Sequence, residues 1–195
     1  MDKIELFKNE LEYIRNDDIK KFAMDAIAIL PDYFFHIPAS STGKYHPSYS
    51  LGDGGLYRHT KAAVRIAIEL LRVGWWDFSS DEIDLIIVSL IMHDGWKSGV
   101  IQETYTRADH PEIAVDQLSI NFSLEPNKTI SNQELQFVMD AIESHMGKWN
   151  LDYKTNQEIM PKPSTKFQKF VHLADYLASR KCLEMNFDVS VLREG

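Results

Sequence analysis

His93 and Asp94 stand side by side at the end of the most apolar stretch of the chain, LIIVSLIMHD, with Lys97 three positions further on. Two metal-competent side chains at a buried helix end need a partner, because a carboxylate taken out of water is costly unless it is paired, hydrogen-bonded or bound to a metal. Taken alone, the pair would serve equally well as a polar helix end that faces solvent. It is not alone. His59 falls near the start of another apolar-striped segment, and Asp175 lies inside a third, VHLADYLASR, flanked by Leu173, Ala174 and Leu177. An unpaired charge at Asp175 would sit against the core. Together these residues make a mixed nitrogen and oxygen donor set suited to a divalent transition metal, with positions left open for water. The single cysteine, Cys182, excludes an internal disulfide or a zinc-thiolate cluster.

Helices must carry these residues. Apolar positions at helical spacing (Ile4, Leu6, Phe7, Leu11, Ile14; then Ile19, Phe22, Ala23, Ala26, Ile27, Leu30) predict two short N-terminal helices, the second closed by Pro31. A segment rich in Pro, Ser, Gly and aromatics follows and predicts a long ordered loop. From Leu56 a broad stripe through Val64, Ile66, Ala67, Leu70 and Leu71 runs to Gly74, with His59 in its first turns. Ser80, Asp81 and Glu82 are expected to open a further helix whose run from Ile83 to Met92, apolar almost all round, marks it as central. Asp109 as N-cap with Pro111 opens the next, carrying Ile113, Ala114, Val115 and Leu118. Ser131 and Glu134 form a capping box for a helix to His145, closed by Gly147. The last helix begins near Ser164 and carries Phe167, Phe170, Val171 and, at its far end, Leu183. No repeat or strand pattern is evident, so the expectation is an all-α, single-domain bundle. Its parts are N-terminal helices over 1–30, a loop over 31–55, a core over 56–184 and a tail over 185–195.

With 195 residues, 44% of them hydrophobic, the chain can bury one substantial core. The net charge of -8 disfavours a broad grip on duplex nucleic acid. The start, MDKIELFKNELEYIRNDD, lacks an uninterrupted apolar stretch, so no membrane span is expected and a reducing cytoplasm is the expected location.

In order, His59, His93 with Asp94, and Asp175 resemble the H...HD...D signature of the HD-domain metal-dependent phosphohydrolases. The resemblance runs from about Gly54 to Lys181 through GGLYRHT, LIIVSLIMHDGWK and VHLADYLASR. It implies an HD-type helical bundle whose first ion sits on His59, His93, Asp94 and Asp175. In the two-metal branch, which includes HD-type diadenosine tetraphosphatases and HD-GYP phosphodiesterases, two intervening histidines hold a second ion. Here those are His110 in RADHPEIA and His145 in ESHMGKW, with Asp94 bridging. Read without the resemblance, His110 is equally a polar helix start and His145 a cap favoured by the helix dipole. Two divalent ions per chain, drawn from Fe, Mn, Ni, Co or Mg, would activate water for hydrolysis without a covalent intermediate. The family commonly reads HD-x-G-K; here Gly95 comes one place early, yet Lys97 keeps its distance from Asp94. Asp94 and Lys97 are therefore the expected catalytic residues. SHMGKW, MPKPSTKF and HLADYLASR also resemble HD-type 3'-5' exoribonucleases, without their nucleic-acid-binding module.

Lys44, Arg58, Arg107, Lys148 and Arg180, with Lys97, are candidates for a phosphate-binding rim, although surface solvation is the ordinary fate of each. Tyr45, Trp96 and Trp149 could stack on a base or simply pack their loops down. His36 and His46 belong to the long loop. His46 is expected to bond within that loop, with donation to a leaving group as the sharper alternative, and His172 is expected to be structural. The expected activity is hydrolysis of a small nucleotide, dinucleotide or short oligonucleotide; the rival is a non-catalytic nucleotide-binding regulatory module.

Overall fold

The computed structural model describes residues 2–152 and 155–183. Among them are eight α-helices and no strand beyond an isolated bridge between Leu151 and Glu158, which is the all-α class expected. The helices are α1 (Lys3–Leu6), α2 (Lys8–Leu11), α3 (Asp17–Ala28), α4 (Gly55–Arg72), α5 (Ser80–Met92), α6 (His110–Phe122), α7 (Asn132–Glu143) and α8 (Lys166–Ala178). The tail over 185–195 lies outside the described residues.

The first of the two N-terminal helices expected from the sequence is broken into α1 and α2 at Phe7, and the second is α3. In a continuous helix the Leu6 carbonyl would accept from the Glu10 N–H; instead it accepts from the Tyr57 hydroxyl and, at 2.7 Å, the Lys61 ammonium. The break turns the Phe7 ring, fully buried, onto Phe34, Phe35 and Tyr57. Side chains of α4 therefore override a local helical preference.

α5 is the central helix, buried without interruption from Asp84 to Met92 and packed against α3, α4, α7 and α8. Its cap is Ser79, one residue before the serine expected from the sequence: the Ser79 hydroxyl accepts from the Glu82 N–H, and the Glu82 carboxylate accepts from the Ser79 N–H. Glu82 needs a partner three positions back, and only Ser79 lies there. α7 starts as expected on the Ser131–Glu134 box, and α8 on an equivalent box of Thr165 and Gln168. α8 ends at Ala178, so Leu183 lies beyond it and is 42% exposed.

The long loop is ordered by short turns at Asp32–Phe35 and Ser48–Ser50 and by ties to the helices. The Tyr49 hydroxyl donates to the Ala178 carbonyl at 3.0 Å, and the Lys181 N–H donates to the Tyr45 carbonyl at 2.8 Å. The loop thus lies across the ends of α4 and α8. Among the described residues no helix is long and apolar enough to cross a membrane.

Candidate metal centre

Each proposed ligand sits where a helix begins or ends, apart from Asp175 within α8. His59 lies one turn into α4, which starts at Gly55 hard against the loop; a Cβ on Gly55 would come within 2.3 Å of the Ser50 carbonyl oxygen. His93 and Asp94 follow the last residue of α5, and His110 opens α6. Asp109 precedes it but does not cap α6 with its side chain as the sequence suggested, because Arg107 takes that carboxylate through Nε at 2.8 Å and Nη2 at 2.6 Å. α7 stops at Glu143, two residues short of His145, which sits in a tight turn before Gly147. Gly147 has φ +59°, and a Cβ there would meet the His172 ring at 2.3 Å.

The six side chains meet at Asp94. Its Oδ2 lies 3.4 Å from His93 Nε2 and 3.7 Å from His59 Nε2. Its Oδ1 lies 2.9 Å from His110 Nε2 and 3.6 Å from His145 Nε2. Asp175 Oδ1 closes the first group, 3.0 Å from His59 Nε2 and 3.4 Å from His93 Nε2. Three of the imidazoles are oriented from behind: Nδ1 of His93 donates to the Leu90 carbonyl, that of His110 to the Arg107 carbonyl and that of His145 to the Ile142 carbonyl, each at 2.7 Å. A carbonyl only accepts, so Nδ1 carries a proton in each and Nε2 is the atom each ring turns to the centre, where it can act as a ligand once that nitrogen is deprotonated.

That orientation makes the centre a fit for cations. His110 Nε2 and His145 Nε2 lie 3.3 Å apart and both face Asp94 Oδ1, so three electron-rich atoms converge. Asp94 Oδ1 and His93 Nε2 are buried with no hydrogen bond of good geometry. Buried polar atoms left in this state are a sign of a missing positive partner. His59, His93, Asp94, His145 and Asp175 can hold metal ions, in the groups His59–His93–Asp175 and His93–Asp94–His145.

The charges around the centre are coupled in the same way. Burial works against the charged forms of Asp94 and Asp175, yet Lys97 and His93 beside Asp94, and His93 and His59 beside Asp175, hold both carboxyls well below the usual range. Burial likewise opposes charge on His93, but the two carboxylates outweigh it and lift its pKa to about 10. Burial dominates at His110 and lowers its pKa. Lys97 donates to Asp94 Oδ2, the carboxylate oxygen that also faces His59 and His93.

A cavity of about 450 Å3 opens above the centre and is reached by His59, Asp94, Lys97, His110, His145 and Asp175. Arg180, Tyr45 and Trp149 also line it. The other expected rim cations do not. Arg58 donates to the Tyr49 and Leu51 carbonyls and ties the long loop to α4. Arg107 is consumed by Asp109 and Glu103. Lys44 lies over the Tyr45 ring, and Lys148 over Trp149 beside a neighbouring cavity. Trp96 packs into the core at 3% exposure, and a Cβ at Gly95 would approach Leu30 Cδ2 to 2.7 Å, so a larger residue there would have to displace that buried side chain.

Among the described residues His46 makes no hydrogen bond within its loop, contrary to expectation; it lines the cavity with its ring centroid 5.8 Å from that of His59. Burial, with help from nearby His59 and Lys97, depresses its pKa to about 4. His172 is a wall of the cavity as well as a structural residue, since its Nδ1–H donates to the His145 carbonyl at 2.6 Å. Tyr176 went unnoticed in the sequence, although His172, Tyr176 and Arg180 recur at intervals of four and so share one helical face. No family model, curated protein or solved structure matches this chain, so the case for its chemistry rests on the geometry of these side chains.

Proposed function

We propose that this protein is a metal-dependent phosphohydrolase of the HD type, acting on a small nucleotide-like phosphate ester or anhydride with two divalent cations. The observation that carries this reading is the division of Asp94, with Oδ2 turned to His59 and His93 and Oδ1 turned to His110 and His145. One cation would be held by His59, His93, Asp175 and Asp94, the other by His110, His145 and Asp94. Imidazole and carboxylate donors without thiolate suit Mn, Fe, Co, Ni or, less closely, Mg. Ions in such a pair lower the pKa of bound water toward neutrality and offset charge on a phosphoryl oxygen.

The chain's own residues do the rest. The Leu90, Arg107 and Ile142 carbonyls keep the Nε2 atoms of three imidazoles aimed inward. Lys97 and Arg180 reach the cavity as cations for phosphate oxygens; among the described residues the Arg180 guanidinium donates only to the Ser179 hydroxyl, and it lies over Tyr176. Tyr45 and Trp149, 59% and 45% exposed on the wall, offer rings to a base. In the reaction a water oxygen bonds to phosphorus, the bond from phosphorus to the leaving oxygen breaks, and the proton released from water balances the one the leaving oxygen gains.

The test is to load the full chain with Mn2+ and assay mononucleotides, cyclic nucleotides, dinucleoside polyphosphates and short oligonucleotides. Hydrolysis of at least one class, lost with a chelator and restored by metal, is expected. Binding of metal and nucleotide without turnover would replace the enzyme with a regulatory binding module, and failure to bind divalent metal at all would overturn both.

A further inference from the structure

Beside the cavity above the candidate metal centre lies a second one of about 410 Å3, bounded by Gly147, Lys148, Lys162 and Pro163. The two share a wall of three side chains, Trp149, His172 and Tyr176. The wall is a stack: the Trp149 and Tyr176 rings lie 5.3 Å apart and 17° from parallel. Tyr176 is fixed by α8, whereas Trp149 ends the short turn Gly147–Trp149. Trp149 is 45% exposed, and a large, partly exposed ring supported on one side by another ring is a platform on which a nucleobase can stack once the side chain lying over it moves aside.

Charge at this wall runs against the character of the chain. The protein carries a net charge of -8, yet among the described residues no carboxylate lines either cavity apart from Asp94 and Asp175. Lys148 Nζ lies 4.8 Å from the Trp149 ring centroid, and the Arg180 guanidinium lies 4.4 Å from that of Tyr176 and 5.6 Å from that of Trp149. Among the described residues neither cation is paired with a carboxylate, unlike Lys97, Arg107 and Lys162. Stacked rings flanked by unpaired cations are the means by which proteins hold single-stranded nucleic acid, the rings taking bases and the cations taking phosphates.

We infer that the substrate carries two nucleosides joined through phosphate, with the reacting phosphate at the metal centre and the second nucleoside across the Trp149–Tyr176 ridge in the Lys148-bounded cavity. The inference rests on the phosphohydrolase reading and names the substrate class it acts on. The ridge supplies stacking for the second base, and Lys148 and Arg180 receive the connecting phosphate.

The experiment uses the Mn2+-loaded full chain and four substrates: bis(p-nitrophenyl) phosphate, the p-nitrophenyl ester of a 5'-mononucleotide, a dinucleoside monophosphate and a dinucleoside tetraphosphate. One of the two-nucleoside substrates is expected to exceed the mononucleotide ester in kcat/KM by about tenfold or more, in line with the stacking of one base. Which of the two does so distinguishes a diester strand from a polyphosphate-linked pair. Trp149→Ala and Lys148→Met are each expected to cut that ratio several-fold. Equal efficiencies in the wild type, or a ratio unmoved in both variants, overturn the inference while leaving the phosphohydrolase reading intact. Should no substrate turn over, the enzyme reading fails and calorimetry decides the subsite. Tighter binding of a two-nucleoside ligand than of the mononucleotide, lost in Trp149→Ala, sustains the subsite; equal affinities remove it.

Discussion

Buried carboxyl groups meet two different fates at the two ends of this fold. Glu10, fully buried in the N-terminal half, lies 2.9 Å from the Lys61 ammonium and 3.7 Å from Arg65, so the chain itself supplies its cations. Asp84, also fully buried, accepts the N–H groups of Arg15 and Asn16 at 3.0 and 2.8 Å and pins the start of α3 to α5. For both, burial prevails and raises the pKa. Asp94 and Asp175 are ringed by imidazoles, with Lys97 as a further cation at Asp94, and their carboxyls are held well below the ordinary range. A carboxylate that only staples helices is matched by donors of the chain. One that faces imidazole lone pairs is set up to share a cation from outside.

The comparison breaks most sharply at Asp94. Asp94→Ala removes the group common to both proposed ions, so hydrolysis should vanish and most bound metal with it, as read by elemental analysis and turnover. A folded variant with full activity would end the two-ion scheme. His145→Ala should lower the metal content toward one ion per chain with the helical fold kept, because α7 still buries Leu135, Val138 and Ile142. Circular dichroism beside metal analysis checks this, and an unchanged metal count returns His145 to a helix-end role.

At the other end, Lys61→Met leaves Glu10 buried with only Arg65 nearby and should destabilise the fold by about 3 kcal/mol in a denaturant titration at neutral pH. The variant's Glu10 pKa rises further above its ordinary 4.5, and a carboxyl with a raised folded pKa favours folding below its unfolded value and loses that contribution as pH rises. The penalty should therefore be smallest below about pH 4.5 and grow toward neutrality. Metal-dependent stabilisation should survive in this variant; its loss would show that the two ends are coupled and the contrast false.

Lys97→Met and Arg180→Met should have the smallest effect. A charge-assisted contact to phosphate is worth about 1.5 to 3 kcal/mol, so catalytic efficiency should fall roughly tenfold to a hundredfold while metal is retained. Methionine keeps much of the apolar stem, so the comparison isolates charge. Wild-type efficiency in both variants would mean that metal and backbone alone hold phosphate.

What the sequence determined by itself was local. Capping pairs such as Ser131 with Glu134, the unbroken apolar run of α5 and the punctuation at Pro31 are read within a few residues, and helix starts depend on contacts of that range. His93 next to Asp94, and Asp175 inside an apolar stripe, were conspicuous for the same reason: charge at a buried position is visible from its neighbours alone. Only the tertiary structure decided that His110 and His145, 35 residues apart, turn Nε2 toward one oxygen of Asp94 while His59 and His93 face the other. It also decided that Arg58 serves loop carbonyls and that Leu6 gives its carbonyl to α4, breaking a helix its own residues would continue. Helical periodicity states which face of a helix is buried but not which side chain of another helix will meet it, and both the candidate metal centre and the aromatic ridge depend on such meetings.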